Sequence, residues 1–136
     1  MATSTYLSNP VVTINAVDMS DQCTSAVLTR VIESLEATAF GQTNRSYVGG
    51  LENSTLTCTF YNSFAASETY ATLKALVGTQ VTVKIKPTNA AVSATNPEST
   101  LTGSYLESLP ITNGQLGALD VIDIVFTAGA YSVAIA

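Results

Sequence analysis

From Ser54 to Tyr61 the chain alternates without a break. Leu56, Cys58 and Phe60 fall on one side of an extended backbone, and Thr55, Thr57, Thr59 and Tyr61 on the other. A period of two cannot lie along a helix, whose faces recur about every 3.6 residues, so this stretch demands a sheet with one buried face. The pattern returns in Thr79–Lys86, where Val81, Val83 and Ile85 point inward and Thr82, Lys84 and Lys86 outward. It returns again in Leu119–Thr127, where Ile122, Ile124 and Phe126 oppose Val121, Asp123 and Val125.

The rest of the chain fits around these strands. Residues 11–17 read as a strand, and Asp18–Asp21 as a tight connection. Gln22–Glu33 reads as one long strand, with Val27, Thr29 and Val31 on one face and Leu28, Arg30 and Ile32 on the other. Thr100–Leu109 is a further strand with a bulge expected at Gly103, and Tyr131–Ala136 a short last one after a turn at Ala128-Gly129. Thr79–Lys86 reads as an edge or half-exposed strand, its two same-face lysines more often an edge guard against aggregation than a binding patch. One helix is predicted over Ala66–Val77, with Ala66, Tyr70, Leu73 and Val77 as its core stripe, Leu76 widening it, and Gly78 as its left-handed stop. Between Leu35 and Asn53 the pattern dissolves into a long loop anchored by Phe40, Tyr47, Val48 and Leu51. Loops of that length are functional or disordered, and the aromatic anchors favour one that docks on something. The expected fold is mainly β: a single domain over 1–136, an antiparallel β-sandwich or barrel of six or seven strands with one flanking α-helix.

Charge narrows the function. Charged residues make up only 11% of the 136, while 20 Thr and 14 Ser supply a quarter of the chain. So little charge makes a poor surface for a free monomer and suggests coverage by copies of itself. Five basic residues against ten acidic ones give a net charge of −5. Five scattered cations cannot release counterions from DNA or RNA, nor hold an anionic membrane. No run of 18 apolar residues is present to span a bilayer. Met1–Thr5 has neither a basic nor an apolar leader character, so synthesis in a cytoplasm is expected.

Chemistry is scarce. The chain has no His, which rules out a Ser-His-Asp or Cys-His arrangement. Cys23 and Cys58 lack metal-ligand spacing and are expected to be reduced. Gly49-Gly50 has neither the spacing nor the helix of a phosphate loop. Asp120 and Asp123, three apart on a strand, face opposite ways and cannot act as a glycosidase pair. Asp18 and Asp21 fit either an Asx-turn or a weak Ca²⁺ site. Arg30, mid-strand among apolar neighbours, fits either an intrachain ion pair or one with an acidic residue of an adjacent subunit. No catalytic residue, cofactor or metal is expected.

The stretch Val12-Thr13-Ile14-Asn15-Ala16-Val17-Asp18-Met19-Ser20-Asp21 resembles the opening of tail tube (major tail) proteins of long-tailed bacteriophages. The likeness continues through Glu36-Ala37-Thr38-Ala39-Phe40-Gly41, through Gly49-Gly50-Leu51-Glu52 and the strand to Phe60, and through Ser93–Pro97 and Gly117–Phe126. This resemblance implies six-membered rings of the chain stacked into a tube, inner strands joined across subunits, contacts with other tail proteins, and DNA passing through without specific binding. It implies a virion location after assembly in the host bacterial cytoplasm. Residues 1–10 resemble an N-terminal arm, 35–53 the long loop that bridges neighbouring subunits or rings, and 128–136 a C-terminal tail, the arm and tail contacting adjacent rings. Phe40, Arg45, Tyr47, Leu51 and Arg30 are then candidate inter-subunit contacts, and Glu52, Glu107, Asp120 and Asp123 candidates for the channel lining. A head decoration or head–tail joining β-sandwich is the alternative within the virion. A small sugar- or protein-binding module is the alternative outside it, disfavoured for sugars by the absence of Trp.

Overall fold

The computed structural model describes residues 10–66 and 68–135. It is mainly β and antiparallel. The strands are β1 (Val11–Ile14), β2 (Val17–Asp18), β3 (Cys23–Thr29), β4 (Ile32–Glu36), β5 (Tyr47–Glu52), β6 (Thr55–Tyr61), β7 (Gln80–Lys86), β8 (Glu98–Leu106), β9 (Val121–Thr127) and β10 (Ala130–Ala134), with a short helix α1 (Thr69–Leu73) between β6 and β7. The main sheet runs β2-β1-β7-β8-β9-β6-β3, β10 also pairs with β8, and β4 and β5 form a separate two-stranded sheet.

The three alternating strands bury the sides their sequence assigns to the core. Leu56, Cys58 and Phe60 of β6, Ile122, Ile124 and Phe126 of β9, and Val81 and Val83 of β7 are all buried. Val12, Ile14, Met19, Leu101, Leu106, Leu73 and Leu76 complete one cluster. At about 25 cal/mol for each Å² of apolar surface removed from water, this cluster is the main force holding the layers together.

The sheet doubles over on itself at one crossing. β9 pairs with β6 along its whole length, and its last residues also pair with β8 through Phe126–Leu106 and Thr127–Tyr105. β10 then continues along β8 in the same register, from Ala130–Thr102 to Ala134–Glu98. Ala128-Gly129 is therefore not the reversal that a turn there predicts, but the kink at which the chain passes from one layer to the other. Both residues have positive φ, 64° and 96°, and Gly103 opposite has 77°. Gly103 lies in the expected bulge, where β8 advances three residues for two on β7. The buried Ser104 hydroxyl donates to the Ala128 carbonyl at 2.9 Å and closes the corner.

Several sequence expectations change. β7 lies between β1 and β8 and is no edge strand; Lys84 sits 3.9 Å from Glu98 as an ion pair on the outer surface. Residues 11–17 are not one strand: Asn15 and Ala16, with φ of 51° and 65°, reverse the chain into β2. Left-handed geometry at two successive residues makes the tight hairpin turn that matches strand twist. The long strand over Gln22–Glu33 breaks at Arg30–Val31 into β3 and β4. Asp18 makes the local turn, accepting hydrogen bonds from the Ser20 amide and hydroxyl. The helix is shorter than its stripe. The Thr69 hydroxyl is tied to the Tyr61 carbonyl at 2.8 Å and to Gln22 at 2.6 Å. After Leu73 the chain tightens into turns that bring Leu76, three residues on, into the core while Val77 stays exposed. Gly78 does take the left-handed conformation, with φ of 79°.

The corner gives a direct test. A Cβ on Gly129 would stand 2.9–3.0 Å from the Ser104 hydroxyl and amide and the Thr102 carbonyl, with φ in the left-handed region as well. Gly129→Ala is expected to lower stability by roughly 2 kcal/mol or more. Gly41→Ala, with a similar φ and nothing within 4 Å, should cost about 1 kcal/mol. Urea midpoints of the two variants check the difference.

Candidate assembly interface

The region 35–53, expected as a loop, is largely a hairpin. Pairing passes from Thr29–Thr55 to Ile32–Glu52 without a change of register, and the Asn53 amide donates to the Val31 carbonyl at 2.8 Å between them. β3–β4 and β5–β6 are thus one ribbon, whose outer half leaves the body as an arm. At its root the Arg30 Nε donates to Glu52 Oε1 at 3.1 Å, and the buried Ser54 hydroxyl donates to the same oxygen at 3.1 Å. The Arg30 guanidinium lies 5.1 Å from the ring centre of Tyr131 on β10. Of its two sequence readings, Arg30 takes the intrachain pair. The hydrogen bond from Arg30, supported by that from Ser54, holds the Glu52 carboxyl below the usual carboxylate range.

Beyond this root no residue from Arg30 to Asn53 is buried. Val31, Ile32, Leu35, Tyr47, Val48 and Leu51 are exposed along the arm, and Phe40 stands wholly in solvent near its tip. The strands can cross closely because β5 carries Gly49-Gly50: a Cβ on Gly50 would meet Leu35 and Glu33 at 3.1–3.2 Å. At the tip the Ser46 amide donates to the Thr38 hydroxyl at 2.8 Å and the Ala39 amide to Gln42 Oε1 at 2.7 Å, so the turn that presents Phe40 and Arg45 is ordered. A two-stranded hairpin with no core is marginal in water, and this one exposes an apolar patch that asks for a partner.

A second surface lies at the other end of the ribbon. Asp120 accepts hydrogen bonds from Asn62 Nδ2 at 2.8 Å, the Asn113 amide at 2.8 Å and the Thr112 hydroxyl at 3.0 Å. Asn62, then the Asn113 amide and the Thr112 hydroxyl, hold its carboxyl below the ordinary value. They pin the segment 109–120, which presents Ile111, Leu116 and Leu119 to solvent; Phe64, two residues after Asn62, is exposed as well. Sequence reasoning missed this cluster; its one signal is three large apolar residues set among Gly, Asn and Pro, where a plain turn needs none.

The third surface is the outer face of β3, β6 and β9. Val27, Thr57 and Val125 form one row across it, Thr29, Thr55 and Thr127 another, and Ser25, Thr59 and Asp123 a third. Asp123 accepts the Thr59 hydroxyl at 2.7 Å. No described strand pairs with the outer edge of β3. Of the four carboxylates proposed for a channel, only Asp123 stands on this face. Glu52 is at the arm root, Asp120 in the loop pin, and Glu107 exposed just beyond β8. Phe40, Arg45, Tyr47 and Leu51 share the arm and Arg30 sits at its base, whereas residues 1–9 of the expected N-terminal arm lie outside the described residues. Cys23 and Cys58 are free thiols, and the contact with Cys23 together with burial pushes the Cys58 thiol far up.

No protein-family model matches the chain, and no curated protein matches it in sequence. Solved structures do. A chain in the cryo-EM structure of the sheath/tube terminator of the extracellular contractile injection system PVC, in the extended state, superposes with a TM-score of 0.73 at 12% identity, over 98% of both chains. A chain in the tube-terminating cap of the anti-feeding prophage gives 0.72 at 16% identity, over 100% of this chain and 94% of that one. A chain in the virion of a native gene transfer agent particle gives 0.65 at 10% identity, over 96% and 99%. The chain shares its fold with chains found in contractile injection systems and in a gene transfer agent particle.

The loop pin predicts a pH response. A carboxylate whose folded pKa is depressed stabilises above its unfolded value, near about 4, and loses that contribution as pH falls through the lower folded value. The Asn113 amide should therefore stay protected from exchange at pH 5 and above and open as the solution is acidified through that window. Asp120→Ala should open it at neutral pH. Amide exchange followed by NMR across the acid range reads both.

Proposed function

We propose that this chain is a structural subunit of a tail tube, in which copies close into rings and rings stack into a hollow conduit. The observation that carries the reading is the apolar arm projecting from a body whose fold tail components share. An arm of this kind cannot be satisfied within one copy. The uncovered edge of β3 points the same way, because joining edges around a ring removes unpaired strand margins. The rings are hexameric in the family the sequence resembles.

Charge placement supports passage of DNA. Arg30 and Arg45 belong to the arm, Lys84 and Lys86 to β7, and Lys74 follows α1. The outer face of β3, β6 and β9 carries hydroxyls, valines and one carboxylate, with no cation. As the channel wall it would neither grip nor retain a polyanion, and a ring of six would carry a formal charge of about −30. Asp123 is the channel candidate on this reading; Glu52 is tied into the arm root and Asp120 into the loop pin. A second reading, a tube-terminating subunit that forms rings without elongating, is favoured by the likeness to chains in two terminator structures.

Purified protein should form six-fold rings and long hollow tubes in negative-stain micrographs. Arm amides of β4 and β5 should exchange freely in any residual monomer and become protected in the tube. Single rings that never lengthen would favour the terminator. A monomer at every concentration, or trimers that coat capsids, would overturn the tube.

A further inference from the structure

We infer that Cys23 and Cys58 form an oxidation site for hydrogen peroxide, which converts the two thiols into a disulfide that clamps β3 onto β6 within one copy. This goes beyond the tube reading and does not depend on it. A bulge brings the thiols together. From Ser25–Thr59 to Thr29–Thr55 the two strands keep one register, and continuing it would set Cys23 opposite Tyr61, on the outer face. Thr24 is instead an extra residue, so Cys23 pairs with Phe60. That one-residue slip turns its side chain to the core face, which Phe60 and Cys58 share. There Cys23 packs against the core cluster in contact with Cys58. The Thr24 hydroxyl donates to the Thr59 carbonyl at 3.3 Å and the Cys23 thiol to the Ser25 carbonyl at 3.2 Å, which fixes the bulge.

Access sets the order of the chemistry. Cys58 is fully buried, whereas Cys23 is half-buried and lines clefts between β1 and β3 that are open among the described residues. Contact with Cys58, against the opposing effect of burial, holds the Cys23 thiol below its ordinary value, so Cys23 supplies the thiolate. Asp18 and Asp21 on the cleft wall repel an anionic oxidant such as glutathione disulfide, but not a small neutral peroxide. The Cys23 sulfur attacks one peroxide oxygen, the O–O bond breaks, and the departing hydroxide takes the proton that Cys23 gave up, forming water. Cys23 is left as a sulfenic acid. The Cys58 sulfur then attacks the Cys23 sulfur, the S–O bond breaks, and the Cys58 proton leaves with that oxygen as a second water. Two thiols are thereby oxidised by two electrons and one peroxide is reduced to two waters. The sulfurs must close from contact to about 2.05 Å. β3 can make that shift, since no described strand holds its outer edge. The bridge closes residues 23–58 into a loop that contains the whole arm, and it ties down a strand whose one described partner is β6.

The full chain, freed of reductant and treated with hydrogen peroxide, tests this by intact mass and peptide mapping under denaturing, non-reducing conditions. The mass should fall by two hydrogens, a peptide linking Cys23 to Cys58 should appear, and free thiols should drop from two to none. Dithiothreitol should reverse all three. Amides of Cys23–Thr29 should exchange roughly tenfold or more slowly in the oxidised chain. Cys58→Ala should stop at a Cys23 sulfenic acid that a 1,3-dicarbonyl probe captures, and Cys23→Ala should react roughly tenfold or more slowly than the parent. Mapping of the unaltered chain needs no variant, so it decides the matter even where Cys58→Ala fails to fold. Thiols that survive peroxide, bridges only between copies, or a Cys23–Cys58 bridge that leaves β3 exchange unchanged would each overturn the clamp, and none of these results bears on whether the chain forms tubes.

Discussion

The strand ladder shared by β3 and β6 runs out of the hydrophobic core without losing register, and most of what is distinctive in this protein follows from that continuity. Inside the body the ladder has Leu56, Cys58 and Phe60 pressed into the core. A few residues on, the same ladder has solvent on both sides. Backbone hydrogen bonds alone contribute about 1 kcal/mol each, since water competes for the same groups, so the outer half lacks the burial that stabilises the inner half. The Arg30–Glu52–Ser54 contacts fix the direction in which the arm leaves, but add no apolar burial to it.

The distribution of polar chemistry agrees with a molecule made to be covered. The threonines of β6, flanked by Thr29 of β3 and Thr127 of β9, satisfy strand geometry without charge, and Asp123 and Thr59 satisfy each other across the ladder. Carboxylates elsewhere are used locally: Asp18 in a turn, Asp120 in a loop pin, Glu52 at the arm root. None converges with another into a catalytic pair, and among the described residues no group of acidic or Cys side chains has the placement of a metal site. Of the large apolar side chains left outside, the most exposed, Phe40, Leu51, Leu116 and Leu119, lie on the arm and in the 109–120 segment, while Val27 and Val125 stand on the outer sheet face.

How much of this was legible in the sequence depended on burial. Where one face of a strand meets the core, alternation marks it, and β6, β7 and β9 were readable to within a residue or two. The arm strands were not. With neither face buried, Ile32–Glu36 and Tyr47–Glu52 have no reason to alternate, and Gly49-Gly50 looks like a loop until the crossing side chains of Leu35 and Glu33 explain it. The aromatic anchors still marked this stretch, because Phe40 and Tyr47 are large side chains that the body leaves unburied. The helix stripe was half right: Leu73 and Leu76 enter the core as expected, but the helix is only Thr69–Leu73, so Ala66 and Val77 at its expected ends stay exposed. The far-end cluster was unreadable: the 109–120 segment is distant in sequence from Phe64 and is brought to that end by the Tyr61–Val121 pairing and the bonds of Asn62 to Asp120 and Ile111.

The sequence by itself determined a charge-poor antiparallel β-sandwich with no histidine chemistry, since alternation and composition act residue by residue and need no partner. Tertiary structure alone decided that Gly129 turns the chain between layers, that β7 lies inside the sheet, and that 35–53 is an arm. Each of those is a relation between segments far apart along the chain, set by which strand edges pair, and a linear pattern carries no record of which edges meet.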